Sequence, residues 1–132
     1  IIIGAFVSGM DAGQIYNTWP LMGSNYFPDD NNFLYLFKIS AFSDPSLVQF
    51  MHRNLAYLIL IFYLIIMIKI YLNKLVSLYF AINLIGFFLV IQIILGILTL
   101  TSGLNIYLAS GHQITSVLLV FTAINLYYSH IK

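Results

Sequence analysis

Three long apolar stretches separated by short polar segments dominate the hydrophobic pattern of this chain. Residues 48–72, 76–100 and 107–129 each exceed the roughly 20 residues that a helix needs to cross a bilayer. The cluster Thr-Ser-Gly-Leu-Asn at 101–105 has the composition of a turn and separates the last two stretches. Residues 1–10 are also apolar and indicate part of a fourth helix. The pattern predicts an all-α protein, a transmembrane up-down four-helix bundle whose first helix is truncated.

The chain begins with Ile-Ile-Ile-Gly, which has the character of a helix interior. It carries neither the basic region nor the small-residue cleavage site of a signal peptide. We therefore expect the chain to be part of a longer protein, in which residues 1–132 form a single transmembrane bundle.

The amino-acid composition supports a membrane location and limits the chemistry. Hydrophobic residues make up 61% of the 132 positions and charged residues 7%, whereas a soluble domain has roughly 25% charged residues. Five basic residues and a net charge of +1 exclude the electrostatic footprint of a nucleic-acid-binding protein. Because there is no cysteine, disulfides, zinc–thiolate sites and iron–sulfur clusters are excluded. Any cofactor must be held by His, Met, Tyr or oxygen ligands.

The charged residues predict how the helices are oriented. The lysines near helix ends share one side of the bundle: Lys69, Lys74 and Lys132. The aspartates all lie in the long segment 11–45: Asp11, Asp29, Asp30 and Asp44. By the positive-inside rule the lysines face the cytoplasm, or the mitochondrial matrix, and the segment 11–45 is an external loop. The helices 48–72 and 107–129 then both run inward and lie on a diagonal of the bundle.

The external loop is long for a connection between helices and is rich in aromatic residues, among them Trp19, Tyr26 and Phe27. Loops of this length often carry function, and aromatic residues at this depth favour the membrane interface. An interfacial aromatic belt and a lid over a ligand are both consistent with this composition.

Two histidines occupy equivalent places in this topology, His52 and His112, each near the start of an inward-running helix. Both imidazoles are therefore predicted at nearly the same depth, just below the outer surface. Two such imidazoles can provide the axial ligands of a haem iron held between diagonal helices. Arg53 lies at the outer rim, where haem propionates would need a cation. The spacing alone leaves open the alternative that the histidines are hydrogen-bonded interfacial residues and Arg53 is a snorkelling charge.

Small residues flank the histidine pair. They are Ala109, Thr115 and Ser116 around His112, with a weakly polar face of Gln92, Gly96 and Thr99 on the preceding helix. A flat ring could lie against such surfaces, but small residues are expected equally where membrane helices pack closely. The third histidine, His130, lies at the inner end of the last helix, where an interfacial role is expected.

Five blocks of the sequence resemble the second half of the haem A synthase family, in the family's order. Residues 4–13 read GAFVSGMDAG and residues 16–22 read YNTWPLM, and together they resemble its external-loop signature. Residues 48–57, VQFMHRNLAY, resemble its histidine motif. The two remaining blocks are similar to residues 92–100, QIILGILTL, and 108–113, LASGHQ. The resemblance extends over nearly the whole chain.

The resemblance implies a protein of two homologous four-helix halves in the bacterial plasma membrane or the mitochondrial inner membrane. The family oxidises a ring methyl group of haem O to the formyl group of haem A. Its second half binds haem b through two histidines, whose positions here are His52 and His112, and Gln49 and Arg53 are implied as further cofactor-binding residues. The implied partners are the haem O substrate, membrane lipid, haem O synthase and cytochrome oxidase assembly factors.

Gln49 distinguishes the two halves of the family. The first half, which is thought to bind the haem being oxidised, carries a Glu three residues before its histidine, and this chain has Gln49 there. An amide cannot act as a general base. The resemblance therefore implies that this half holds the resident haem and no catalytic residue. Gln49 itself is expected to contact the haem edge or an adjacent helix.

Two other classes of membrane protein remain open as alternatives to the synthase. A membrane cytochrome b subunit that only transfers electrons would also pair its histidines, although such proteins often hold two haems and only one matched pair is present here. A transporter half would use the external loop as a gate, but that class usually shows buried charges along a pathway. No Lys, Arg, Asp or Glu lies between Lys74 and Lys132. An upstream half with a Glu-x-x-His-Arg motif would distinguish the synthase from the carrier.

Overall fold

The computed structural model describes residues 1–131, and among these residues there are α-helices and 3₁₀ helices but no β-strand. The α-helices are α1 (Ile2–Gly9), α2 (Pro45–Leu72), α3 (Tyr79–Thr101) and α4 (Ile106–Ile131). Short 3₁₀ helices lie at Ala12–Gln14, Phe33–Phe37, Ile39–Ser43 and Val76–Leu78. Three helical segments are long and apolar enough to cross a membrane: Pro45–Leu72, Val76–Thr101 and Ile106–Ile131. The predicted all-α class is confirmed; Lys132, predicted on the inner side, lies outside the described residues.

Local capping signals determine where α2 begins and ends. The carboxylate of Asp44 accepts a backbone N–H of the first turn at 3.0 Å, and Pro45 occupies the first helical position, where its missing N–H costs nothing. At the other end Lys74 has a left-handed φ of 52°. The Leu75 N–H then donates back to the Ile70 carbonyl at 3.1 Å, which satisfies an orphan carbonyl of the last turn.

The predicted turn at 101–105 separates α3 from α4. Gly103 has a φ of 69°, a conformation that glycine adopts without a Cβ penalty. The Leu104 N–H donates back to the Thr99 carbonyl at 2.9 Å and closes α3. The side chain of Asn105 accepts the Tyr107 N–H at 3.0 Å and caps the start of α4.

The three long helices meet in an apolar cluster at the end of the bundle that carries the lysines. Its buried residues are Ile70 of α2 together with Leu78, Ile82 and Ile85 in and before α3. Side chains that pack around it are Tyr63, Met67, Tyr79, Leu119 and Leu126. α3 packs most extensively against α4. Many other large apolar side chains of the helices are exposed, as expected of surfaces that face lipid.

The segment 10–44 between α1 and α2 folds back onto the opposite end of α2. The rings of Tyr26 and Phe27 lie 5.7 and 5.0 Å from the ring of Phe50, in edge-to-face contact. Met22 is fully buried within the segment. This segment, called the loop 10–44 below, is thus a packed cap over the end of the bundle opposite Lys69 and Lys74, where the histidines lie.

Candidate functional site

His52 and His112 lie side by side in the half of the bundle that the loop 10–44 covers. Their ring centroids are 6.4 Å apart, and the ring planes make an angle of 78°. Both side chains are partly buried. The structure thus brings together the two residues that the charge pattern and the helix order predict at one depth.

Gln92 of α3 contacts both nitrogens of the His112 ring. The Nδ1 atom lies 3.1 Å from the Gln92 carbonyl oxygen, and the Nε2 atom lies 3.2 Å from the Gln92 side-chain nitrogen. A carbonyl can only accept, so Nδ1 carries the proton and donates it. The Nε2 lone pair is then the acceptor for the Gln92 amide N–H. His112 is therefore held as one neutral tautomer, with its lone pair on Nε2.

Each imidazole lies against a glycine of the preceding helix. A Cβ atom on Gly96 of α3 would lie only 2.9 Å from Cε1 of His112. A Cβ atom on Gly4 of α1 would lie 3.4 Å from Cε1 of His52. Real Cβ atoms do not approach within 3 Å of another heavy atom, so the His112 ring occupies space that only glycine leaves at position 96. The small-residue face of α3 indicated Gly96 from the sequence, but no sequence pattern linked Gly4 to His52.

Gln49 and Arg53 bind the main chain of the loop 10–44. The Gln49 amide donates to the Tyr16 carbonyl at 2.9 Å. The two terminal nitrogens of Arg53 donate to the carbonyls of Tyr16 and Leu21 at 3.1 and 3.2 Å. Gln49 Oε1 and Arg53 Nε are buried without a hydrogen-bond partner among residues 1–131. The loop contacts were not foreseen, and the haem contacts expected of both residues stay predictions.

Replacing Arg53 by Lys is expected to loosen the loop 10–44. A guanidinium bridges two carbonyls with its fork, whereas an ammonium is a point charge that cannot match both. The loss of one such hydrogen bond should destabilise the folded loop by about 1 kcal/mol. Hydrogen exchange at the Met22 amide should therefore become roughly fivefold faster. That amide donates to the Asn25 carbonyl at 2.7 Å within the loop. The control Lys69→Arg, near the C-terminal end of α2, should leave the rate unchanged; unchanged exchange in Arg53→Lys would exclude the anchoring role.

Asp30 provides a second attachment of the loop to α2. Its carboxylate accepts the Ser46 hydroxyl at 2.6 Å and the Tyr16 hydroxyl at 3.1 Å. Burial alone would raise the pKa of Asp30, but hydrogen bonds from Ser46, Tyr16 and Asn31 outweigh it and hold that pKa below its usual value. Burial, followed by the hydrogen bond and the charge of Asp30, raises the pKa of Tyr16.

The Asp30 contacts should make the loop sensitive to acid. Because the folded-state pKa of Asp30 lies below its usual value of 3.8, its ionised form stabilises the folded loop above that pH. This contribution is lost as the pH falls through the folded-state pKa. We expect limited proteolysis of the loop to accelerate below about pH 4, and Asp30→Asn to reduce this dependence. Asp11→Asn should keep the full acid response, and identical profiles for both variants would contradict the assignment.

Elsewhere in the part of the chain that the structure describes, no three His, Asp or Glu side chains are grouped to hold a metal ion. His130 is exposed near the far end of α4, away from the pair. A site of two imidazoles alone suits a metal ion whose remaining ligands come from a macrocycle.

Fold and site together define a membrane-spanning helical bundle with a paired-histidine site beneath the packed loop 10–44. A family model described as cytochrome oxidase assembly protein matches residues 1–124. The chain belongs to this family.

Several curated relatives cover nearly all of the chain. It is 43% identical over 123 residues to the haem A synthase of Pelagibacter ubique, a match that covers 91% of this chain and 35% of the relative. It is also 43% identical over 119 residues to the haem A synthase of the Wolbachia of Brugia malayi, a match that covers 90% of this chain and 34% of the relative. The haem A synthase of Rickettsia felis is 38% identical over 137 residues, and this match covers 97% of this chain and 38% of the relative. The chain thus spans about a third of these relatives' length. No solved structure matches it.

Proposed function

We propose that this chain is the haem b-binding half of a haem A synthase, with His52 and His112 as the axial ligands of the haem iron. The observation that carries the proposal is the adjacent pair of imidazoles. Imidazole nitrogens bind metal ions at about 2 Å, so two imidazoles on opposite sides of one ion have centroids about 6 Å apart. The centroids here are 6.4 Å apart. The relatives named haem A synthase supply the reaction class.

The surroundings of His112 fit this role. Metal-bound histidines typically donate their other ring N–H to a carbonyl or carboxylate, which sets the tautomer and the ring orientation. The Gln92 carbonyl does this for Nδ1 of His112, and the lone pair that a metal ion requires is on Nε2. Gly96 and Gly4 allow both rings to lie against helix backbones. Arg53, adjacent to His52, is the cation that we assign to a propionate, with Gln49 one turn away on the same side.

A haem held by both His52 and His112 would supply one-electron transfer rather than substrate oxidation. The residues of this chain would hold the cofactor, orient its ligands and exclude water from it. Gln49 is an amide and cannot act as a general base. Oxidation of the haem O methyl group therefore belongs to the other half of the protein. The environment is the bacterial plasma membrane or the mitochondrial inner membrane, with haem O synthase and cytochrome oxidase assembly factors as partners.

The haem content of the intact protein tests the proposed function. Purified from membranes that also contain haem O synthase, the protein should release haem b together with haem O or haem A on extraction and chromatography. Membranes without the protein serve as the control for background haem. Haem b alone would contradict synthase function and favour the alternative, a cytochrome b-type electron-transfer subunit. Absence of any bound haem would contradict both.

A further inference from the structure

One residue, Gln92, engages the whole polar edge of the His112 ring. Its backbone carbonyl accepts from Nδ1 at 3.1 Å, and its side-chain amide donates to Nε2 at 3.2 Å. The nitrogen that would bind iron is therefore already hydrogen-bonded in this structure. A lone pair that accepts an amide proton cannot bind a metal ion at the same time.

We propose that the Gln92 side chain is a latch with two states, one hydrogen-bonded to the ligating nitrogen of His112 and one turned away from it so that haem can bind. The Gln92 carbonyl, in contrast, keeps the ring in its ligating tautomer in both states. This inference rests on the proposed function, because it takes His112 as a haem ligand.

The amide is the partner that moves, because the ring is held on two sides. The Gln92 carbonyl holds Nδ1, and the backbone of α3 at Gly96 lies directly against Cε1. The Gln92 side chain has three rotatable bonds. Its next neighbour along the same helix face, four residues on, is Gly96, which has no side chain to block it.

The latch is weakly held. The Gln92 Oε1 atom is buried and finds no hydrogen-bond donor within residues 1–131. The amide therefore makes a single neutral hydrogen bond, to His112, and leaves its oxygen unsatisfied. Such an amide can be displaced by a metal ligand bond, yet it keeps the His112 lone pair satisfied until then.

The two histidines differ in the hydrogen bonds that their ring nitrogens make. No hydrogen bond to either nitrogen of His52 is found among the described residues, whereas both nitrogens of His112 are engaged. Binding by His52 thus requires no latch to open, and binding by His112 is the gated step. The rate at which two-histidine coordination forms should therefore report on Gln92.

The test compares haem binding by the intact protein, prepared haem-free, with that of its Gln92→Leu variant. Haem b is mixed with each protein, and formation of the low-spin absorption band is followed by stopped flow. Leucine keeps the backbone carbonyl and removes the amide, so the band should form roughly fivefold faster, as expected for loss of one competing neutral hydrogen bond. The dissociation rate of haem should not change. The matched control is Gln113→Leu, at the exposed position next to His112, which should behave as wild type.

The outcomes separate the latch from the proposed function. Wild-type rates in Gln92→Leu, or slower band formation, would overturn the latch while leaving the histidine ligands intact. A faster dissociation with an unchanged association rate would indicate a structural role and would also overturn it. Failure of the wild-type protein to form the low-spin band would overturn the proposed function and the latch together. If Gln92→Leu does not fold, Gln92→Met, unbranched and without an amide, carries the same expectation.

Discussion

The low-spin b-type absorption band of reduced membranes is expected to disappear when either His52 or His112 is replaced by Ala. The chain has no cysteine, and the polar side chain known to contact His112 is an amide, which is a poor ligand for haem iron. Loss of one imidazole therefore leaves one side of the iron without a strong protein ligand. The absorption spectrum of membranes containing each variant measures the effect directly.

Two controls separate loss of a ligand from loss of the fold. His130→Ala removes the exposed histidine near the C-terminal end of α4 and should keep the band at full intensity. Imidazole added to His112→Ala should restore a low-spin spectrum, because it fits the space that the side chain leaves. If both alanine variants at the pair keep the band, His52 and His112 are not the ligands.

Replacing Gly96 by Ala is expected to destabilise the haem-bound protein by about 1–3 kcal/mol, the usual cost of overpacking. The added Cβ would lie 2.9 Å from Cε1 and 3.3 Å from Nδ1 of His112. The ring must therefore shift, although the Gln92 carbonyl on the same helix holds it from one side. A shifted ring binds iron with poorer geometry. We expect haem to dissociate about 5- to 150-fold faster from this variant, measured by transfer of haem to an acceptor protein.

Gly111→Ala provides a matched control, because Gly111 directly precedes His112 in α4. A Cβ there would lie 3.7 Å from the nearest atom, on the Leu95 side chain, which is an ordinary contact. Glycine to alanine within a helix is otherwise stabilising by about 0.5–1 kcal/mol, so the two variants should change stability in opposite directions. Equal dissociation rates would show that the His112 ring does not depend on the missing side chain at position 96.

Helix number and position were predictable to within a few residues. The apolar stretch predicted at 48–72 corresponds to Pro45–Leu72, and that at 107–129 to Ile106–Ile131. The earlier start of α2 follows from Asp44 and Pro45, a cap and a first-turn residue that hydropathy alone does not register. The stretch predicted from 76 begins with the short 3₁₀ helix Val76–Leu78 before α3.

The candidate site was predictable in part. Alternating helix direction placed His52 and His112 at one depth, and residue spacing placed Gln92 and Gly96 on one face of α3. Spacing on α3 does not say how that helix is shifted along α4, so the double contact between Gln92 and His112 was not foreseen. The two residues are 20 positions apart, and their register depends on how the α3–α4 turn closes.

The sequence by itself determined the all-α class, the approximate extent of each helix and the common depth of the two histidines. Capping residues act over a few positions, and hydrophobic runs and charges act through the membrane as a whole. Both kinds of effect can be recognised from the order of residues in the sequence. Only the tertiary structure decided what the polar side chains touch. Arg53 reaches the Tyr16 carbonyl across 37 positions, and the Gln92 amide reaches Nε2 of His112 between two helices. Such partners depend on the path of the loop and on helix register, which arise from packing of the whole fold rather than from any local pattern.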